Sequence, residues 1–151
     1  MAGLLDETTL GYIGRSAPER REVATRRDIR HYAVATRQTE PRYLAGEEAP
    51  PLYYTALFWP EAPLDRLRSD GLTQDLLVPE LPLPRVMAGG VRVRFERGIR
   101  PGDELIANRK ILDIREKQGK TGALIFVDVE MRIETEAGEP VLTEVATTIA
   151  R

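Results

Sequence analysis

The chain has 151 residues, 42% of them hydrophobic and 30% charged, with no cysteine and a single histidine, His31. This composition excludes a disordered chain, a disulfide scaffold, thiolate catalysis, a cysteine-based zinc site and a histidine-rich metal centre. A formal net charge of −2 gives no electrostatic case for nucleic acid.

No apolar run reaches the ~20 residues that span a membrane. The start, Met1-Ala2-Gly3-Leu4-Leu5-Asp6-Glu7, is acidic and lacks the apolar core of a secretory signal. The length predicts one domain over 1–151, and the absence of cysteine predicts a reducing, cytoplasmic setting. Arg15, Arg20, Arg21, Arg26, Arg27 and Arg30 form a locally basic run, read as a solvated helix face rather than a binding patch.

Thr25 followed by Asp28 predicts a helix start of the capping-box kind. Ile29, Tyr32, Ala33 and Thr36 then recur at helical spacing, and Pro41 is expected to end that helix. Pro50-Pro51 opens a second helix over Leu52 to Trp59, apolar nearly all round and therefore buried. Residues 60–84, with Pro60, Pro63, Pro79, Pro82 and Pro84, read as a long irregular connection wrapping the surface, with a short helix near Leu64–Arg68.

From residue 85 onward the pattern turns to strands. Val91, Val93 and Phe95 alternate with Arg92, Arg94 and Glu96. After the turn Arg100-Pro101-Gly102-Asp103, a strand from Glu104 to Lys117 has Leu105 and Ala107 on one face early and Ile111 and Ile114 later, and the change of parity between these pairs predicts a bulge. Gln118 to Gly122 and Glu136 to Glu139 read as hairpin connections around a strand with Ile125, Val127, Val129, Met131 and Ile133 on one face. A last strand runs from Val141 to Ile149. Short connections imply antiparallel neighbours. The expected architecture is α+β: a hot-dog fold, an antiparallel sheet wrapped around a central hydrophobic helix.

Ala49-Pro50-Pro51-Leu52, Leu83-Pro84-Arg85-Val86-Met87-Ala88-Gly89-Gly90, Arg100-Pro101-Gly102-Asp103 and Gly122-Ala123-Leu124-Ile125-Phe126-Val127 occur in an order and spacing that resemble MaoC-like N-terminal dehydratase domains, the FAS1-type hydroxyacyl-thioester dehydratases. The resemblance covers roughly residues 10–151. It implies a hot-dog fold and water addition to, or loss from, an acyl-CoA or acyl-ACP thioester in fatty acid metabolism, without a cofactor. It also implies a site often shared between two hot-dog units.

Catalytic members carry a stretch of the form Tyr-Ala-x-x-x-Gly-Asp-x-Asn-Pro-x-His, whose Asp and His activate a water. Tyr32-Ala33 and Pro41 match that stretch. Arg37 stands at the Gly position, Gln38 at the Asp, Glu40 at the Asn and Tyr43 at the His. Gln38 is no general base, and a tyrosine, with an ordinary pKa near 10, is a poor one at neutral pH.

The expected role is thus the non-catalytic, substrate-accommodating subunit, partnered by a hot-dog chain that carries the Asp/His pair. A homo-oligomeric acyl-CoA-binding protein without turnover remains open. So does an autonomous hydratase or thioesterase using the weak candidates His31 and Glu40. Candidate substrate-binding residues are Tyr53, Tyr54, Trp59, Met87, Gly89 and Gly90, each of which has an ordinary packing explanation as well. No metal site is expected.

Overall fold

The computed structural model describes residues 3–151; Met1 and Ala2, the first residues of the acidic start, lie outside the described residues. Among the described residues no helix is long and apolar enough to cross a membrane. A short helix, α1 (Glu7–Leu10), is followed by strand β1 (Arg20–Val23) and helix α2 (Arg26–Ala35). The capping reading of α2 holds. The Thr25 hydroxyl accepts the Asp28 amide at 3.1 Å and donates to the Asp28 carboxylate at 2.7 Å. Ile29 and Ala33 are its buried face.

Pro41 does not end α2. The helix closes earlier, at Arg37, which adopts φ 55° so that its amide reaches the Val34 carbonyl and the Gln38 amide reaches the Ala33 carbonyl. This paired closure normally uses glycine at that position. Pro41 instead opens a further turn, α3 (Pro41–Leu44), as proline at a first helical position can.

The sheet has five strands in the order β1-β3-β4-β5-β2, all neighbours antiparallel, with β2 (Val86–Phe95), β3 (Glu104–Gly119), β4 (Gly122–Thr135) and β5 (Pro140–Ala150). The bulge expected in β3 lies between Ile111 and Asp113. The structure departs from two sequence expectations. First, Arg20–Val23, read as part of a solvated helix face, is an edge strand. Its sequence has one apolar residue, so its state is set by pairing with Glu104–Ala107 rather than by its own pattern.

Second, β2 and β3, joined by the Arg100–Asp103 turn, are not neighbours. The connection crosses the fold. Glu96 donates to Val141, Ala49 donates to Ile99, and Gly102 and Ala24 are tied by Gly102 N–H to Ala24 O and Ala24 N–H to Asp103 O. Asp103 fixes the crossing by accepting from the Arg97 guanidinium at 2.7 and 3.1 Å and from the Arg100 amide at 2.8 Å.

The central helix, α4, is shorter than expected: Tyr53–Leu57, not Leu52 to Trp59. It is also one-sided. Tyr53, Tyr54 and Phe58 are buried, whereas Leu52, Ala56 and Trp59, at spacings of four and three, form an exposed apolar stripe. So short a helix covers only half of the sheet's inner face, where Leu105, Ala107, Met131, Ile133 and Leu142 meet it. The other half, around Ile111, Ile114, Ile125, Val127 and Val129, is covered by Leu5, Tyr12 and Ala17 from the N-terminal segment and by Leu77, Val78, Leu81 and Leu83. The long irregular connection is therefore part of the core. The Arg109 guanidinium clasps Asp75 at 2.6 and 3.3 Å to hold it down.

Candidate functional site

The segment that carries the dyad in catalytic members leaves α2 through the left-handed Arg37. That position keeps the backbone shape for which the family motif uses glycine, although the side chain here is arginine. The chemistry of the segment is different. The Gln38 side-chain amide donates to the Thr36 hydroxyl at 3.3 Å. Tyr43 is buried on α3, and its hydroxyl accepts from Arg42 at 3.1 Å. His31 and Glu40 are both exposed. Glu40 sits at the N-terminus of α3 without capping it through its side chain. The Tyr43 amide donates to the Glu40 carbonyl at 3.1 Å, but no side-chain hydrogen bond or ion pair joins His31 or Glu40 to the Tyr43 hydroxyl.

A cavity of about 250 Å³ opens beside Tyr43, lined by Pro50 and Pro51 at the approach to α4, by Phe95, and by Glu48, Arg97 and Ile99. Its one guanidinium, Arg97, is committed to Asp103 and to Glu139 at 3.1 Å. A Cβ on Gly98 at this wall would stand 2.7 Å from the Glu48 carboxyl carbon and would push the Glu48 side chain aside. A larger cleft of about 470 Å³ lies at the opposite edge of the sheet, between Arg21, Glu22, Glu104 and Glu136. There the Glu104 carboxyl is pushed up by its hydrogen bond to, and the like charge of, Glu136.

The residues expected to bind substrate do not line either cavity. Tyr53 and Tyr54, on the buried side of α4, are 2% and 0% exposed. Burial pushes the Tyr53 phenol up to about 12, with Asp28 adding to the effect. Its hydroxyl makes no hydrogen bond of ordinary geometry. Burial raises the Tyr54 phenol as well, and its hydroxyl donates to the Glu144 carboxylate on β5. Trp59 is 59% exposed at the end of α4.

Met87 lies opposite Ile149 on the terminal strand. Gly89 sits in a bulge between Ala88 and Gly90, where a Cβ would stand 2.7 Å from the Ile149 side chain, so packing alone requires glycine there. Gly90, at φ 139°, has open space beside it.

Glu144 was not singled out by the sequence reading. It is the charged residue in the run Leu142, Glu144, Ala146 that faces the helix side of β5. A break in apolar parity is the signal that marks it.

A model of the FAS1-like dehydratase domain region matches residues 11–144. The chain belongs to that family. Mesaconyl-C(4)-CoA hydratase of Chloroflexus aurantiacus is 38% identical over 90 residues, which is 59% of this chain but 32% of that protein. The chain thus matches about a third of that relative's length. The C-terminally truncated HadBC (3R-hydroxyacyl-ACP dehydratase) complex of Mycobacterium tuberculosis superposes with a TM-score of 0.64 at 18% identity, covering 92% of this chain and 97% of that one.

The ChsH1-ChsH2 complex of the same organism gives 0.67 at 14% identity, covering 95% and 86%. The MaoC-like dehydratase of Rhodospirillum rubrum gives 0.56 at 19%, covering 91% of each. At these identities the structures establish the fold: the FAS1-like dehydratase frame here is a MaoC-like hot-dog, and two of these neighbours are two-chain complexes.

Proposed function

We propose that this chain, as one hot-dog domain, is the non-catalytic, substrate-accommodating subunit of a two-chain enoyl-thioester hydratase or 3-hydroxyacyl-thioester dehydratase. The observation that carries the reading is the emptied dyad on a retained frame. The left-handed turn at Arg37 is kept, while the two positions that should deliver a base hold Gln38 and a buried Tyr43 engaged by Arg42. A carboxamide cannot take a proton from water, and a phenol whose oxygen already accepts from Arg42 is poorly suited to act as a general base.

The partner is a second hot-dog chain bearing the Asp/His pair, and the ligand is an acyl-CoA or acyl-ACP thioester. The exposed apolar stripe of α4 and the exposed β2 edge support such a partner, because an uncovered apolar strand is a surface for pairing. The cysteine-free composition supports a cytoplasmic setting.

The test is enoyl-CoA hydration followed by loss of the conjugated-thioester absorbance. The chain alone is expected to give no turnover. Added to a hot-dog chain that carries the Asp/His pair, it is expected to raise the rate above that of the catalytic chain alone. A pair no better than the catalytic chain alone overturns the proposal. Turnover by this chain alone also overturns it, and H31A and E40A then become the first variants.

A further inference from the structure

The seam at β2 carries more information than its exposure. β2 ends the sheet, so among the described residues one row of its backbone N–H and C=O groups has no partner strand. Its two faces differ in chemistry. Val93 lies opposite Glu144, whose carboxylate meets Tyr54 of α4, so Val91, Val93 and Phe95 share the helix side. On that side Val91 is 57% and Phe95 44% exposed.

The alternate residues, Arg92 and Arg94, lie opposite Val145 and Thr143 on the outer face. Arg94 has 77% of its side chain in solvent. Arg85 precedes the strand and is exposed as well. From 85 to 96 the edge holds these three arginines and one glutamate, Glu96, which pairs with Arg94 at 2.7 Å. Across the sheet, Glu130 stands in register with Arg92 through Val145 and pairs with Arg132 at 2.8 Å, while Asp128 is held by Arg115 and Thr147.

We propose that this edge selects its partner by charge: it pairs with a hot-dog chain whose own edge strand is apolar on the helix side and acidic on the outer face, and it disfavours a second copy of itself. An isologous pairing of two β2 strands brings the same excess of arginines to both sides of one outer face, and like charges across paired strands destabilise. An acidic edge meets the same arginines with opposite sign. Charge complementarity of this kind governs partner choice and association rate more than the depth of binding. The inference rests on the reading of the chain as one half of a two-chain assembly, and it names what the other half must carry.

The experiment uses the intact chain and an inverted copy, R92E/R94E, as the acidic-edge probe. Both changes are on exposed side chains, and thermal melts confirm folding. A neutral copy, R92Q/R94Q, provides a second, milder probe. Sedimentation of each protein alone and of the mixture is compared at low and high salt. The expected result is a mixed dimer at least about tenfold tighter than either self-dimer at low salt, with the gap closing as salt screens the seam. The neutral copy is expected to fall between them, and V91K in either member is expected to abolish the mixed dimer.

If the wild-type chain self-associates as tightly as the mixture, charge selection is wrong while pairing through a hot-dog edge stands. If no combination associates, edge pairing itself fails, and with it the partner invoked above.

Discussion

Strands β4 and β2 show the same alternation in sequence and meet opposite fates. In β4 the apolar set Ile125, Val127, Val129, Met131 and Ile133 is buried throughout. In β2 the set Val91, Val93 and Phe95 alternates with arginine just as regularly, yet every residue of the strand except the half-buried Val93 is exposed. The difference is position. β4 has a strand on each side and a cover above, whereas β2 has a neighbour on one side only. Alternation in a strand therefore marks a face built to be covered, and in β2 the cover is not within the described residues.

Truncating one residue from each strand separates the two most directly. Ile125→Ala is expected to cost about 2–5 kcal/mol, because it opens a void among fully buried neighbours. Val91→Ala is expected to change the stability of the isolated chain by no more than about 0.5 kcal/mol, as exposed substitutions do. Urea denaturation of the two variants measures the contrast directly. Equal losses would mean that β2 is already covered in solution.

The adjacent tyrosines of α4 sharpen it on a smaller scale. Tyr54→Phe removes the hydroxyl that serves the Glu144 carboxylate, for an expected loss of about 1.5–3 kcal/mol. Tyr53→Phe removes a hydroxyl with no ordinary hydrogen bond, and stability should hold or rise. Thermal melts of the two variants, which differ by one residue in position, separate a supported polar group from an unsupported one.

Acid provides a third comparison, between the crossing connection and the outer face. Burial alone would raise the Asp103 carboxyl, but Arg97, together with the Arg100 amide, holds it below the ordinary range. Asp128 likewise resists burial through Thr147 and Arg115. A carboxylate whose folded pKa is depressed stabilises the fold above its unfolded pKa, and that contribution is lost as pH falls through the folded value. Stability should therefore decline on acidification below the ordinary aspartate range, and D103N should flatten the decline seen by chemical denaturation between neutral and acid pH. An unchanged profile in D103N would remove Asp103 as a source.

The smallest expected effect is a gain. Arg37→Gly relieves a left-handed arginine for about 1 kcal/mol, or about 2–4 °C in melting temperature.

Much of this was legible in the sequence because the relevant patterns are local. The Thr25–Asp28 cap, the β3 bulge, the hairpin after β4 and the departures at Gln38 and Tyr43 can be read without knowing where distant segments lie. What escaped depends on distant pairing. The state of Arg20–Val23 is set by β3, and the place of β2 by β5. The limits of α4 are set by which of its apolar residues the sheet can receive: Leu52 and Trp59 looked as suited to burial as Tyr54 did. Leu77 to Leu83 read as surface because prolines punctuate them, yet Ile111 and Ile125 needed a cover that α4 is too short to provide. The substrate-binding set rested on residue type. Tyr53 and Tyr54 turned inward and Gly89–Gly90 went to the strand edge, so the structure leaves them apart.

The crossing from β2 to β3 also has a consequence for how the chain acquires its shape. β3, β4 and β5 form a meander of tight hairpins and can zip from sequence-local contacts. β2 emerges before them, yet its docking strand, β5, is the last to be made. During synthesis β2 must wait, alternately apolar and unpaired, for two further strands to appear. Such a segment is a target for off-pathway strand addition. Under the proposed two-chain assembly, production of the chain should therefore improve when the partner is made at the same time, compared with refolding this chain alone.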